Sequence, residues 1–294
     1  MNPILHKLGF AADDRVVIVH ADDIGMCQAT LPAYADLLEA GLLSSAAVMV
    51  PCPWFPETAR FCRAHPEVDM GVHLTLTCEW TTYRWRPIST RDESSGLMDD
   101  EGYFPRTTAE IMARGNANAV ATEMRAQVQR AANAGIDITH IDSHMGSVFR
   151  NTFLEPYVQL AREAGIPAFF PNPYDERIVA RGLSPETTQA GKEIARRLEQ
   201  QGAPLVDDLR GLPLDQPGDQ VPIAKHLFNT LTPGLTVLLL HPAVDTPELR
   251  AIASDWQSRV ANYEALTNRE LCDHVRNSDI HVIGYRVLRD LLRT

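Results

Sequence analysis

The chain has 294 residues, 45% of them hydrophobic and 22% charged, and a formal net charge of -11. A chain of this length buries a sizeable core without disulfide staples, and its composition is that of an ordinary globular protein. The acidic balance argues against a duplex nucleic-acid binder and against docking on an anionic membrane, both of which need a basic surface, and it leaves a neutral sugar substrate open.

Short β-branched runs alternate with longer helical patterns along the chain. Strands are predicted at 16–19, 45–50, 70–74, 138–141, 168–170, 204–206, 236–240 and 280–283. Helices are predicted at 28–40, 55–64, 108–133, 153–164, 185–200, 221–229, 256–274 and 285–292. Gly41, Gly135, Gly165 and Gly202 each follow an apolar-periodic run, where a helix C-cap falls. This alternation predicts an α/β fold with a parallel sheet, closed or partly closed into a (β/α) barrel, with a doubly wound open sheet as the alternative. One domain is expected over 1–294, interrupted by a long irregular loop at about 77–107. The aromatics of that loop, Trp80, Tyr83, Trp85, Tyr103 and Phe104, favour an ordered segment and offer faces for sugar rings.

Five cysteines, Cys27, Cys52, Cys62, Cys78 and Cys272, form no C-x-x-C pair, which predicts reduced thiols in a cytoplasmic protein rather than a disulfide framework or a thiolate zinc site. The first residues lack the apolar region of a signal peptide, and the apolar run at 237–240 is far too short to span a bilayer.

Four motifs carry chemistry. In VVIVHADDIG a buried strand runs into Asp22 and Asp23, and neighbouring carboxylates can divide metal coordination from base catalysis. The alternative is a turn with capping aspartates. In MGVHLTLT, His73 lies near a strand's C-terminal end; taken alone it reads as a satisfied core histidine. In THIDSHMG, the residues His140, Asp142 and His144 alternate, so a continued strand would set all three on one face; the alternative is a polar turn after the strand. His140 or Asp142 would there suit a group that orients a metal ligand. In LLLHPAVD, His241 follows an apolar strand, where it can act as a general acid or bind an oxyanion, or be an ordinary loop histidine. Strand ends converge on one rim of a barrel, and one Asp with two His makes a sensible set for a catalytic divalent metal with open positions.

HADDIG, GVHLTLT, THIDSH and the late HP, in this order from about residue 14 to about residue 290, resemble the YdjC-type carbohydrate deacetylases, which include chitooligosaccharide deacetylases. The segment SDWQSRVANYEAL at 254–266 is similar to the family's W…R…E…L helix and brings in Arg259. The resemblance implies a distorted (β/α) barrel, TIM-barrel-like and polysaccharide-deacetylase-like, holding one divalent metal ion, zinc or magnesium. It implies hydrolysis of the N-acetyl group of an amino sugar or short oligosaccharide, and a homodimer is plausible for the family. Carried onto this chain, it makes Asp23, His73 and His144 the metal ligands, Asp22 the general base and His241 the acid, and brings Arg259 near the site; Arg259, His140 and Asp142 are the candidate substrate-binding residues. The family pattern DSHHHVH is here DSHMGSVF, which keeps the ligand His144 and drops the histidines beyond it. Two other functions fit the same residues: a metal-dependent amidase or esterase on another acylated compound, and a non-catalytic, metal-stabilised sugar-binding protein. Acetate release separates them.

Overall fold

A computed structural model describes residues 2–149, 151–174 and 185–294. Seven parallel strands form one sheet: β1 (Arg15–Ile24), β2 (Ser45–Val48), β3 (Met70–Leu74), β4 (Ile138–Ser143), β5 (Asp208–Gly211), β6 (Gly234–Leu240) and β7 (Ile280–Val282). Their order is β4-β3-β2-β1-β6-β5. β1 shares one edge between two neighbours, pairing through Arg15–Val17 with β7 and through His20–Ile24 with β2. Two isolated bridges, Ile141 to Ala168 and Pro171 to Val206, carry the wall on from β4 toward β5. The expected distorted (β/α) barrel is therefore present, with its weakest wall at those bridges.

The departures from expectation have local causes. The predicted strands 168–170 and 204–206 are reduced to single bridges, because Pro167, Pro171 and Pro204 remove ladder donors around them. Pairing resumes instead in the polar sequence DLRG of β5, where Arg210 Nε donates to Asp208 Oδ2 at 2.8 Å and Arg210 also binds carbonyls of the following helix. The predicted helix 108–133 is two helices, Thr108–Arg114 and Ala117–Asn133. Asn116 caps the second by accepting from the backbone N–H groups of Asn118 and Ala119. The predicted helix 256–274 likewise splits into Trp256–Thr267 and Arg269–Arg276, with Asn268 accepting from Leu271 N–H. Two short helices, Pro3–Lys7 and Pro247–Ile252, were not expected.

The alternation of β1 divides the core. Val17, Val19 and Ala21 pack outward with the helix Thr30–Ala40 in the main apolar cluster. Val16 and Ile18 face the other way, joining Leu235, Val237, Phe169 and Val206 from the wall and Ile4, Leu5 and Leu288 from the first and last helices. That second cluster fills the lower lumen. The upper lumen is polar. Gly71 of β3 leaves room for it, since a Cβ there would lie 2.3 Å from the His140 ring. Among the described residues no helix is long and apolar enough to cross a membrane.

Candidate active site

The polar end of the lumen begins where β1 breaks its own alternation. Successive residues of a regular strand point to opposite faces, so Asp22 and Asp23 ought to diverge. The β1–β2 register shifts between Ala21 and Ile24, and Asp23 has a left-handed backbone with φ 62. Asp is among the few residues that tolerate this conformation. The bulge turns both carboxylates toward His73, and Gly25, with φ 81, completes the turn.

Asp23 is the hub. Its Oδ1 lies 3.1 Å from His144 Nδ1 and 3.4 Å from His73 Nε2. Its Oδ2 accepts a 2.8 Å hydrogen bond from Arg259 Nη1. Burial opposes ionisation of Asp23, but Arg259 and His144 outweigh it and hold its carboxyl well below the usual range. Arg259 is itself buried, bonded to Asp255 and set 5.5 Å from the centre of the Trp80 ring.

Each histidine beside Asp23 is oriented through its other nitrogen. His73 Nδ1 is 2.8 Å from Asp142 Oδ1, and His144 Nε2 is 3.0 Å from Glu79 Oε2. Burial lowers the pKa of both rings, yet their carboxylate neighbours raise His73 well above the ordinary value and His144 to about 9. β4 pairs through Ser143, whose backbone is extended, so His144 follows Asp142 on the alternation, at the start of a short turn in which Met145 has φ 55.

The donor set fits a divalent cation. Asp23, His73 and His144 offer ligand atoms within 4.8 Å of one another. The separations of 3.1 and 3.4 Å bracket the edge of about 3.3 Å expected for a tetrahedron with bonds of about 2.0–2.1 Å. Two overlapping groups, Asp22–His73–Asp142 and His20–His140–Asp142, also lie close enough. In those groups His73 Nδ1 and His20 Nε2 face Asp142, and His140 Nδ1 lies 3.0 Å from Thr139 Oγ1, while His20 Nδ1 and His140 Nε2 are buried without a partner. The Asp23 group alone leaves a nitrogen of each histidine directed at a shared carboxylate oxygen.

Asp22 and His241 stand beside this group. Asp22 Oδ2 is 3.6 Å from His241 Nε2, and the His241 N–H donates to Asn262 Oδ1 at 2.8 Å, fixing the residue after β6. Burial pushes the His241 imidazole below its ordinary pKa despite the nearby Asp23 and Asp22. The side chains of His241, Glu79 and Asp255 are the open ones, 22%, 23% and 22% exposed; Asp23, His73, His144 and Arg259 are closed over.

All eight residues singled out from the sequence therefore lie in one region. His140 is the deepest, stacked at 3.9 Å on the Tyr285 ring below Asp142. The loop at 77–107 is anchored inward. Trp80, Trp85 and Phe104 are buried, Trp85 Nε1 donates to Thr77 O, and Tyr83 donates to Met26 O. Sequence reasoning missed three participants. Glu79 had no motif around it. Asp255 was hidden inside a helix signature. His20, two residues before Asp22, shares its strand face, a period that was readable.

A carbohydrate deacetylase of Thermus thermophilus is 33% identical over 98% of this chain and 99% of its own length. One from Thermoanaerobacter pseudethanolicus is 22% identical over 94% of this chain and 100% of its own. A crystal structure from Enterococcus faecalis V583 superposes with a TM-score of 0.76 at 23% identity, covering 94% of this chain and 99% of that one, and shows the shared fold. The CE4 domain of a termite-hindgut metagenome xylanase has the same general fold, with a TM-score of 0.50 at 10% identity over 95% of this chain and 91% of that one. The profile of the YdjC-like proteins matches residues 16–277, and the chain belongs to that family.

Proposed function

We propose that this chain is a metal-dependent carbohydrate deacetylase that hydrolyses the N-acetyl group of an amino sugar or short N-acetylated oligosaccharide. The observation that carries the reading is the contact between Asp22 Oδ2 and His241 Nε2 at 3.6 Å, beside the Asp23–His73–His144 group. Binding alone needs neither a base nor an acid. The carbohydrate deacetylases to which the chain is similar support the substrate class.

Asp23, His73 and His144 would hold the ion. Two imidazole nitrogens suit zinc, and magnesium is the alternative where oxygen ligands dominate. When bound, a divalent ion there supplies Lewis-acid polarisation of the acetyl oxygen and of the attacking water. Asp22 takes the proton of that water. His241 is neutral at the outset, because burial depresses its pKa. The proton collected at Asp22 Oδ2 faces His241 Nε2, so the same proton can pass to the imidazole and on to the leaving amine, which departs poorly without one. Asp142 and Glu79 hold the rings of His73 and His144 in place. Arg259 keeps Asp23 ionised and directed, and His140 forms the floor rather than a substrate contact. The five cysteines are all buried free thiols, which supports a reducing, cytoplasmic setting.

The test is acetate release from N-acetylglucosamine and its short β-1,4 oligomers with zinc, magnesium or chelator. Release that depends on added metal and stops with chelator is the expected result. No release under any condition, with metal demonstrably bound, would reject this substrate class in favour of another acylated compound.

A further inference from the structure

Below the Asp23 group the lumen holds polar side chains that the proposed reaction leaves unused. His20 of β1 is 1% exposed, His140 of β4 0%, and Tyr285 of the last helix 2%. Their ring centres lie 3.9–5.9 Å apart. Of the three, His20 alone reaches the reacting layer. Its Nε2 is 2.9 Å from Asp142 Oδ2 and 3.1 Å from Asp22 Oδ1. The opposite oxygens of those carboxylates are the ones with assigned work, since Asp142 Oδ1 meets His73 Nδ1 and Asp22 Oδ2 meets His241 Nε2.

Two features make this more than a packing contact. Asp22 Oδ1 is buried and receives no well-directed hydrogen bond, so the nearby His20 ring is what offsets its charge at that end. His20 Nδ1 is also buried without a partner, so the polar engagement of this ring runs entirely toward the two carboxylates. Two buried carboxylates meeting at one nitrogen would repel each other if that ring were apolar. Burial by itself would discharge His20, but Asp142 and Asp22 raise its pKa to about 9, which keeps it cationic at neutral pH.

We infer that His20 is a positioning residue, clamping Asp22 Oδ1 against Asp142 Oδ2 and so fixing Asp22 Oδ2 as the oxygen presented to His241 and the attacking water. It also joins the base to the carboxylate that orients His73. The inference rests on Asp22 acting as the base in the reaction proposed above.

Two substitutions test it. His20→Phe keeps a ring without a donor, and His20→Gln keeps an N–H donor without charge. His20→Phe is expected to lower kcat about 10²-fold with KM within about threefold and metal still bound, and His20→Gln to recover about tenfold of that loss. In the metal-free protein the Nε2–H proton of His20 is expected as a far-downfield NMR resonance, absent in His20→Gln and shifted by both Asp22→Asn and Asp142→Asn. Wild-type kcat in folded, metal-loaded His20→Phe overturns the inference. So does a His20 resonance indifferent to Asp22→Asn. Equal losses of kcat, melting temperature and metal content in both variants, with no recovery by Gln, would reduce His20 to a packing residue. Should His20→Phe fail to fold, His20→Gln and the resonance decide the matter. If Asp22→Asn keeps full turnover, the base assignment falls, while the resonance still reports on the clamp.

Discussion

The lower and upper halves of the barrel interior are built by the same strand on the same alternation, with opposite contents. β1 sends Val16 and Ile18 into the lower lumen and His20 and Asp22 into the upper. Below, Ile18, Val237, Leu5 and Leu288 belong to one apolar cluster, and each fully buried side chain of this size stabilises the fold by about 1.5–3 kcal/mol. Above, His20, His73, His144 and Arg259 are as deeply buried, but each is set against a carboxylate. Desolvation of such pairs offsets most of their attraction, so the upper layer adds little net stability and is explained by its chemistry. Stability and reactivity are separated along one axis of one barrel.

Substitutions on the two levels should therefore have different readouts. The largest effect is expected from Asp22→Asn, an isosteric change in the upper layer that removes the base. Turnover should fall about 10²–10⁴-fold while melting temperature and metal content hold. Steady-state kinetics on metal-loaded protein decide it, and a loss below tenfold would leave Asp22 without that role. Ile18→Ala is the counterpart in the lower layer. It should destabilise the protein by about 2–5 kcal/mol in urea unfolding and change kcat less than about threefold in the folded fraction. A collapse of kcat with unchanged stability would break the division between the two levels.

Smaller effects sharpen it. Glu79→Gln leaves all three proposed ligands in place but weakens the hold on the His144 ring. Metal affinity, measured by competition with a chelating dye, should drop about 10–100-fold. An unchanged affinity would mean that the loop carboxylate does not orient His144. The smallest effect is expected far from both layers. Asn116→Ala removes the cap of the helix Ala117–Asn133 and should lower stability by about 1 kcal/mol with kcat unaltered.

Much of this arrangement is legible in the sequence, and what is not has identifiable reasons. Strand and helix periods located the wall wherever no proline intervened. They failed at 168–170 and 204–206, where missing N–H groups limit pairing to single bridges, and at β5, whose charged side chains conceal a strand. The helix breaks at Asn116 and Asn268 lie inside continuous helical patterns, and the Asn side chain that caps each new helix is visible only as a weak signal. Glu79 was unreadable because nothing in a loop sequence states which way its side chain turns.

By itself the sequence determined an α/β chain with Asp22, Asp23, His73, Asp142, His144 and His241 near the ends of its strands, because those positions follow from alternation and element order. Which atoms meet was left to tertiary structure. The bulge at Asp23 brings adjacent carboxylates to one face, and Glu79 reaches His144 from the loop after β3. Those outcomes depend on backbone conformations and long-range approaches of a few ångströms, and neither is encoded in the spacing of residues along the chain.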